Sequence, residues 1–452
     1  MQSWQARPYL LILVLVFLFC AIYVPDVGHG FVKDDFQWII DARQPPGALV
    51  THTNGFFRPL VTLSFRANYE LFGLDPHPYG LTNLALAAAC AALVFALTRS
   101  FGLGSRAATF GAAVWAFNFH GINMGVLWLS GRTALLLTLF ALLAGITFIA
   151  GRKVLCLVCV TAALLSKEEA VLLPVALLLW RVILNDETRL RQRWTVAVRD
   201  SWWLMIPLPL YAVARLNSNA MMPSNAPDYY AFTFAPLSVA HNFLQYLDRS
   251  WTFPVAGLLL VWCFARTIGG IDRRRYRVAL CGVVWFACGL AITVFLPVRS
   301  SLYACLPSAG AAVACGAVVD AWTERMTAHQ IRRAGVVAVV VLIMLIPIYR
   351  LRNQRWVEIA DLSAETMSSL ELCSKVHCDS ILLEDDLRTR RNFASAFGSF
   401  DSVAHLFLGR EIPTRIVPGP VESARLADGG CVLHIRLIDG IPRPQLRGSC
   451  DN

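Results

Sequence analysis

Long apolar runs broken by short polar stretches fill most of this chain. A helix needs ~20 largely apolar residues to cross the hydrocarbon core of a bilayer. About eleven runs approach that length, near 9–24, 81–98, 107–127, 132–150, 154–166, 169–184, 201–216, 254–268, 278–296, 301–319 and 335–350. The fifth and eighth are short, and polar residues interrupt the third. The pattern predicts an α-helical polytopic membrane protein with about eleven transmembrane helices. The first run is followed by Pro25-Asp26 and not by a small-residue cleavage pattern, so it reads as a retained helix.

Two stretches between runs are unusually long. Residues 26–80 contain Asp34-Asp35, a break at Pro45-Pro46-Gly47, and a segment from Arg58 to Leu74 that mixes apolar residues with Arg66 and Glu70. That last segment reads as a helix lying at the membrane interface. Residues 217–253 carry Pro223, Pro227, Tyr229, Tyr230, Phe232 and Phe234. Beyond Arg350 the composition becomes that of a soluble protein. A helix is expected over 352–374, with strands near Ser380–Leu383 and Cys431–Ile438. The chain therefore divides into a membrane domain, 1–350, and a small α/β domain, 351–452.

Composition agrees. Hydrophobic residues make up 56% and charged residues 15%, against roughly 25% charged in soluble domains. The net charge of +10 would suit a nucleic-acid binder, but its distribution argues otherwise. With a cytoplasmic N-terminus, alternate loops collect Arg99 and Arg106; Arg152 and Lys153; Arg189, Arg191, Arg193 and Arg199; Arg273, Arg274, Arg275 and Arg277; and Arg325, Arg332 and Arg333. This is the positive-inside bias. It places the 26–80 loop, Ser166–Glu169, Arg299 and the tail on the extracytoplasmic side, in a bacterial inner membrane.

The cysteines divide in the same way. Of 13, nine fall within apolar runs, where they serve as small hydrophobes. The other four are in the tail, and an even number there fits disulfides in an oxidising compartment. Cys373 with Cys378 and Cys431 with Cys450 is the preferred pairing of the three that four cysteines allow.

Ionisable groups at membrane depth persist where they line a wet cavity or do chemistry. On the predicted outer face the chain gathers Asp34, Asp35, Arg58, Arg132, Lys167 and Arg299. A sugar leaving a lipid phosphate needs cations to neutralise that phosphate, and the attacking hydroxyl needs a carboxylate to take its proton. The set suits such a transfer. Taken alone, the two aspartates equally suit the N-terminal cap of a surface helix.

Asp34-Asp35, Phe57-Arg-Pro-Leu60, Leu71-Phe-Gly73 with Asn83, Trp128-Leu-Ser-Gly-Arg-Thr133, Leu165-Ser-Lys-Glu168 with Pro174, and Arg299-x-x-x-Tyr303-x-x-x-Pro307 follow one another, with Arg355-Trp356 after the last run. In order and spacing they resemble the GT-C glycosyltransferases related to protein O-mannosyltransferases. The resemblance implies inverting transfer of a monosaccharide from a polyprenyl-phosphate donor to a hydroxyl on a protein, glycan or lipid, with no nucleic-acid partner. It implies Asp34 as general base, and Asp35 as a metal ligand or acceptor-positioning group. Arg58, Lys167, Arg299 and Tyr303 are implied as donor-phosphate contacts, with Arg299 and Tyr303 one helical turn apart. Arg132, Glu168 and Asn123 would be supporting residues.

Two departures accompany the resemblance. Relatives often carry a glutamate four residues before the tryptophan matching Trp128; here Met124 stands there, beside Asn123, which leaves a divalent metal one acid short. Tetratricopeptide repeats of the metazoan relatives are replaced by the cysteine-bearing tail. Two other readings remain open at the level of sequence. One is a transporter or flippase for lipid-linked sugars, although no internal repeat of the kind transporters show is evident. The other is a GT-C protein that binds a lipid-linked sugar without turning it over.

Overall fold

The structure, a computed structural model, describes residues 8–45, 47, 56–218, 230–265, 270–386, 388, 391–398, 400–419 and 430–450; side chains are described from Ile12 onward. Pro46, Pro223, Pro227 and Tyr229 of the two long loops lie outside the described residues.

The chain is mostly helical. Helix α1 (Pro8–Tyr23) is followed by α2 (Asp35–Arg43) and α3 (Pro59–Phe72), then α4 (Pro76–Ser100), α5 (Ser105–Ala116), α6 (Asn123–Leu127), α7 (Arg132–Ile149) and α8 (Lys153–Leu164). After these come α9 (Leu173–Leu184), α10 (Leu190–Ser201), α11 (Pro207–Asn217), α12 (Pro236–Phe264), α13 (Arg273–Leu290), α14 (Cys305–Thr323) and α15 (Ala328–Ser368). Among the described residues, four helices are long and apolar enough to cross a membrane: Pro76–Ser100, Leu129–Ile149, Ser301–Thr323 and Ala328–Lys375. The other expected runs fall on shorter or interrupted helices, except that at 254–268, which falls largely on the continuous 29-residue α12. The predicted run at 107–127 is broken, because α5 stops at Ala116 and Asn118 turns the chain before α6.

Packing is closest between α13 and α14, where Gly282 and Gly310 face each other; a Cβ on either would collide with the other's carbonyl oxygen. Small residues at such crossings let helix backbones approach in an apolar medium. Buried tryptophans keep their N–H groups bonded to carbonyls: Trp115 to Cys305 at 3.1 Å, Trp180 to Cys281 at 2.8 Å and Trp285 to Leu306 at 3.0 Å.

One end of the bundle is held by ion pairs. Arg275 there meets Asp272, Asp320 and Glu324, and Arg277 meets Asp186. A cavity of about 490 Å³ lies among these groups, and its charges neutralise one another.

The helix expected between Arg58 and Leu74 is α3. Pro59 opens it, Val61 and Phe65 are buried, and Leu63, Leu71 and Phe72 are exposed. The expected tail helix is not separate: α15 runs unbroken from Ala328 to Ser368, through Pro347. Beyond it lie α16 (Glu371–Lys375), α17 (Phe393–Ala396) and α18 (Phe400–Leu408), with β1 (Ser380–Asp385), β2 (Thr414–Pro418), β3 (Val432–Ile438) and β4 (Ile441–Arg447). The sheet order is β2-β1-β3-β4, parallel except for the β3–β4 pair. Disulfides join Cys373 to Cys378 and Cys431 to Cys450, the expected pairing. The sheet domain rests on α2, with Phe36 against Phe397 at 5.9 Å and the Lys33 N–H donating to the Ala396 carbonyl at 2.8 Å.

Candidate active site

The two aspartates are unlike each other. Lys33, immediately before them, takes a left-handed conformation (φ 52°) that non-glycine residues seldom adopt, held by its bond to Ala396 in the sheet domain. After this turn Asp35 is fully buried. One of its oxygens accepts the Val32 N–H at 2.9 Å; the other accepts the Ser130 N–H at 2.7 Å and the Ser130 hydroxyl. Burial raises this carboxyl to about 7, with the Ser130 and Val32 bonds opposing the shift and the charge of Asp34 adding to it. Asp34 is exposed. It occupies the N-cap position of α2 without capping it, and its carboxylate has no bonded partner among the described residues. Although open to solvent, it stands among enough protein for desolvation to raise its carboxyl above the ordinary range, against the pull of Arg58 and Lys33.

Ser130 is fixed by a buried polar relay. Arg132 donates to the Asn83 side-chain oxygen at 2.9 Å and to the Ser64 and Tyr79 carbonyls at 3.1 and 3.0 Å, with its guanidinium 4.4 Å from the Phe65 ring. Asn83 in turn donates to the carbonyls of Trp128 and Leu129, each at 3.1 Å. Trp128 stacks on Trp356 at 5.9 Å. Asn83, Trp128-Leu-Ser-Gly-Arg-Thr133 and Trp356 therefore converge behind Asp35, and Arg132 is a scaffold residue away from solvent.

The cations stand next to this. Arg58 forms a two-pronged pair with Glu168, at 3.0 and 2.5 Å. Burial pushes the Glu168 carboxyl up, but the charge and fork of Arg58 outweigh it and bring it down to about 2. The Arg58 guanidinium loses some proton affinity to burial and regains more from Glu168, ending above its ordinary value. Lys167 is buried, 2.7 Å from Glu169 and 4.4 Å from the centre of the Tyr303 ring. Arg299 donates to Asn242 at 2.7 Å, and Asn242 donates to the carbonyls of Val294 and Leu296 at 2.9 Å each.

The expected helical turn between Arg299 and Tyr303 is absent, because Ser300 caps a 3-10 turn that begins only at Ser301. Asn123 bonds Asn353 of α15 at 2.5 Å, which ties it to the helix seam. Ser130 and Asn242 carry no role at the level of sequence; Ser130 lies inside the Trp128–Thr133 motif, whereas nothing local marks Asn242.

These residues do not form a divalent-metal site. Both Asp35 oxygens are occupied, Met124 replaces the second acid, and among the described residues no three His, Cys, Asp or Glu side chains gather.

No family model matches the chain. In sequence it is similar to the protein O-mannosyl-transferase Tmtc1 of Drosophila melanogaster, with 31% identity over 174 residues, covering 33% of this chain and 20% of that protein. It is also similar to mouse (Mus musculus) TMTC2, with 37% identity over 106 residues, 23% of this chain and 12% of that one. The matches thus span a fifth or less of these relatives' length. In structure the chain is similar to ArnT from Cupriavidus metallidurans, crystallised bound to undecaprenyl phosphate. The TM-score is 0.55 at 13% identity, over 95% of this chain and 93% of that one. The apo form of that protein gives the same TM-score at 15% identity.

Proposed function

We propose that this chain, an integral membrane protein of GT-C fold with sequence likeness to protein O-mannosyl-transferases, transfers a monosaccharide from a polyprenyl-phosphate donor to a hydroxyl acceptor. The observation that carries this reading is the division of the aspartate pair. Asp35 is consumed in bonding Val32 and Ser130, while Asp34 keeps a free carboxylate within electrostatic reach of Arg58.

In the reaction the acceptor oxygen attacks the anomeric carbon from the face opposite the phosphate. Its proton passes to Asp34, the new C–O bond forms, and the bond from carbon to phosphate oxygen breaks with its electron pair staying on the polyprenyl phosphate. A carboxylate suits the proton transfer. The leaving phosphate is stabilised by Arg58, with Lys167, Arg299 and Tyr303 along the same end. Glu168 and Glu169 balance the charges of Arg58 and Lys167, and Ser130 and Arg132 hold the loop. The presence of undecaprenyl phosphate in the ArnT structure supports a lipid of this class as carrier. Basic loops at the opposite end, and disulfides in the sheet domain, support an extracytoplasmic site.

The test supplies radiolabelled polyprenyl-phosphate mannose or glucose, with a membrane extract from a deletion strain, to wild type, Asp34→Asn and Asp35→Asn. Loss of transfer in Asp34→Asn is expected; transfer that survives both substitutions overturns the assignment.

A further inference from the structure

Two arginines near this site have no ion-paired acid among the described residues. Arg249 on α12 places its guanidinium carbon 5.6 Å from the Tyr246 ring centre, and its Nη1 is buried with no hydrogen-bond partner among the described residues. Arg352 on α15 lies over the Phe119 ring at 4.7 Å. The two are within electrostatic reach of each other, Arg249 also of Arg299 and Arg352 also of Arg355. The acid facing them, Asp248, is more than half exposed, accepts the Thr252 hydroxyl at 2.6 Å, and lies 4.0 Å from His120 Nδ1. It forms no ion pair with either arginine.

Hydrogen bonds and ring contacts hold the residues around them. Asn118 donates to the Arg249 carbonyl at 2.8 Å, Tyr349 donates to the Phe117 carbonyl, and Phe119 packs edge-on against Tyr349 at 5.3 Å. The Tyr246–Tyr303 pair, 6.3 Å apart, links Arg249, over the Tyr246 ring, to Lys167, over the Tyr303 ring. Half-buried like charges repel and are costly to desolvate unless something neutralises them. A tetrahedral oxyanion would do so, since guanidinium groups fork onto phosphate oxygens.

We infer that Arg249 and Arg352 form a second oxyanion site, one that takes a phosphate group other than the donor's. That this site is distinct from the donor's phosphate site rests on the glycosyltransferase reading. The phosphate could belong to a lipid headgroup or be free in solution, and two probes separate these sources.

The full chain is placed in phosphatidylcholine nanodiscs and titrated calorimetrically with inorganic phosphate. In parallel, native mass spectrometry compares its retention of phosphatidic acid with that of phosphatidylcholine. Binding of either phosphate probe by wild type is expected, weakened roughly tenfold in Arg249→Gln and in Arg352→Gln. Lysine at either position should restore part of it, and Arg443→Gln on β4 should leave it unchanged. Binding of a short-chain prenyl phosphate should persist in both glutamine variants.

Failure of wild type to bind either probe overturns the inference, as does equal binding by the glutamine variants. Loss of prenyl phosphate together with the probes also overturns it, by showing one shared site, while the transfer reading stands. Should a glutamine variant fail to fold, the lysine pair carries the test: lysine variants that bind more weakly than wild type but better than an unrelated membrane protein support the site, and variants indistinguishable from either of those two overturn it.

Discussion

Ser130 gives two hydrogen bonds to one oxygen of Asp35, through its backbone N–H at 2.7 Å and through its hydroxyl. The bond joins the aspartate loop to the start of α7. Ser130→Ala keeps the backbone bond and removes the other, so a loss of about 1–2 kcal/mol in stability is expected. The hydroxyl bond holds the Asp35 carboxyl down, so its removal should move that carboxyl further above about 7. Thermal unfolding, followed by size-exclusion, measures the first effect and its pH dependence the second.

Asp35 also makes a stability prediction through pH. Its folded carboxyl titrates at about 7, against ~3.9 in an unfolded chain. The folded state therefore holds the proton more tightly. Its contribution is fully present below pH ~4, declines as pH rises towards 7 and is level above that, for a total of about 4 kcal/mol. Asp35→Asn should flatten the unfolding profile between pH 4 and 7. An unchanged slope in that window would remove Asp35 as its source.

Much of this arrangement was legible before the structure. The helix over Arg58–Leu74 and the strands near Ser380–Leu383 and Cys431–Ile438 follow from periodicity and composition, which are local; the disulfide pairing, one of three that four cysteines allow, was a preference that the structure matches. The long α15 was not legible, because the change from apolar to polar near Arg350 reads as a boundary although the backbone continues helical through it. Nor were β2 and β4: Thr414–Pro418 is short, and the two prolines of Ile441–Arg447 are accommodated only because β4 is an edge strand. Within the site, the aspartates and cations were visible as residue types. Which carboxylate is buried depends on Ser130, ninety-five positions away, and no spacing rule reaches that far.

Asp34 governs the acid limb of activity in this reading. Desolvation lifts its carboxyl above the ordinary range while Arg58 holds it down. Turnover should fall as pH drops through this raised value, since the base is then protonated. Arg58→Gln removes the restraint, so the acid limb of kcat should move to higher pH as well as the rate falling. A pH profile of single-turnover transfer decides this; an unshifted limb in Arg58→Gln would separate the two residues.

Arg132 should act on folding more than on chemistry. Its guanidinium satisfies Asn83, Ser64 and Tyr79 at once, and lysine cannot present that fork. Arg132→Lys leaves at least one buried carbonyl unpaired, with an expected loss of about 1–3 kcal/mol. Arg132→Met strands Asn83 as well and should be worse. Lower yield of folded protein, with per-molecule donor binding retained in the surviving Arg132→Lys fraction, is the expected pair of readings.

The Arg58–Glu168 fork supplies the sharpest separation between holding a cation and using it. Glu168→Gln keeps the shape but removes the carboxylate that the Arg58 charge holds well below its ordinary range and that raises Arg58 in return. Because the folded value lies below the unfolded one, the pair stabilises the protein above pH ~4.3 and loses that contribution as pH falls towards 2. At neutral pH the substitution should destabilise by about 1–3 kcal/mol, since a largely buried guanidinium loses its ionic partner. Donor affinity should move the opposite way. With Glu168 neutral, Arg58 is free to turn its whole charge on the lipid phosphate, so the Kd for polyprenyl phosphate should fall while kcat drops, because release of the product lipid slows. Native mass spectrometry of retained polyprenyl phosphate, set beside steady-state transfer, reads both. A weaker Kd together with lower stability would instead make Glu168 a positioning group without which Arg58 does not reach the phosphate.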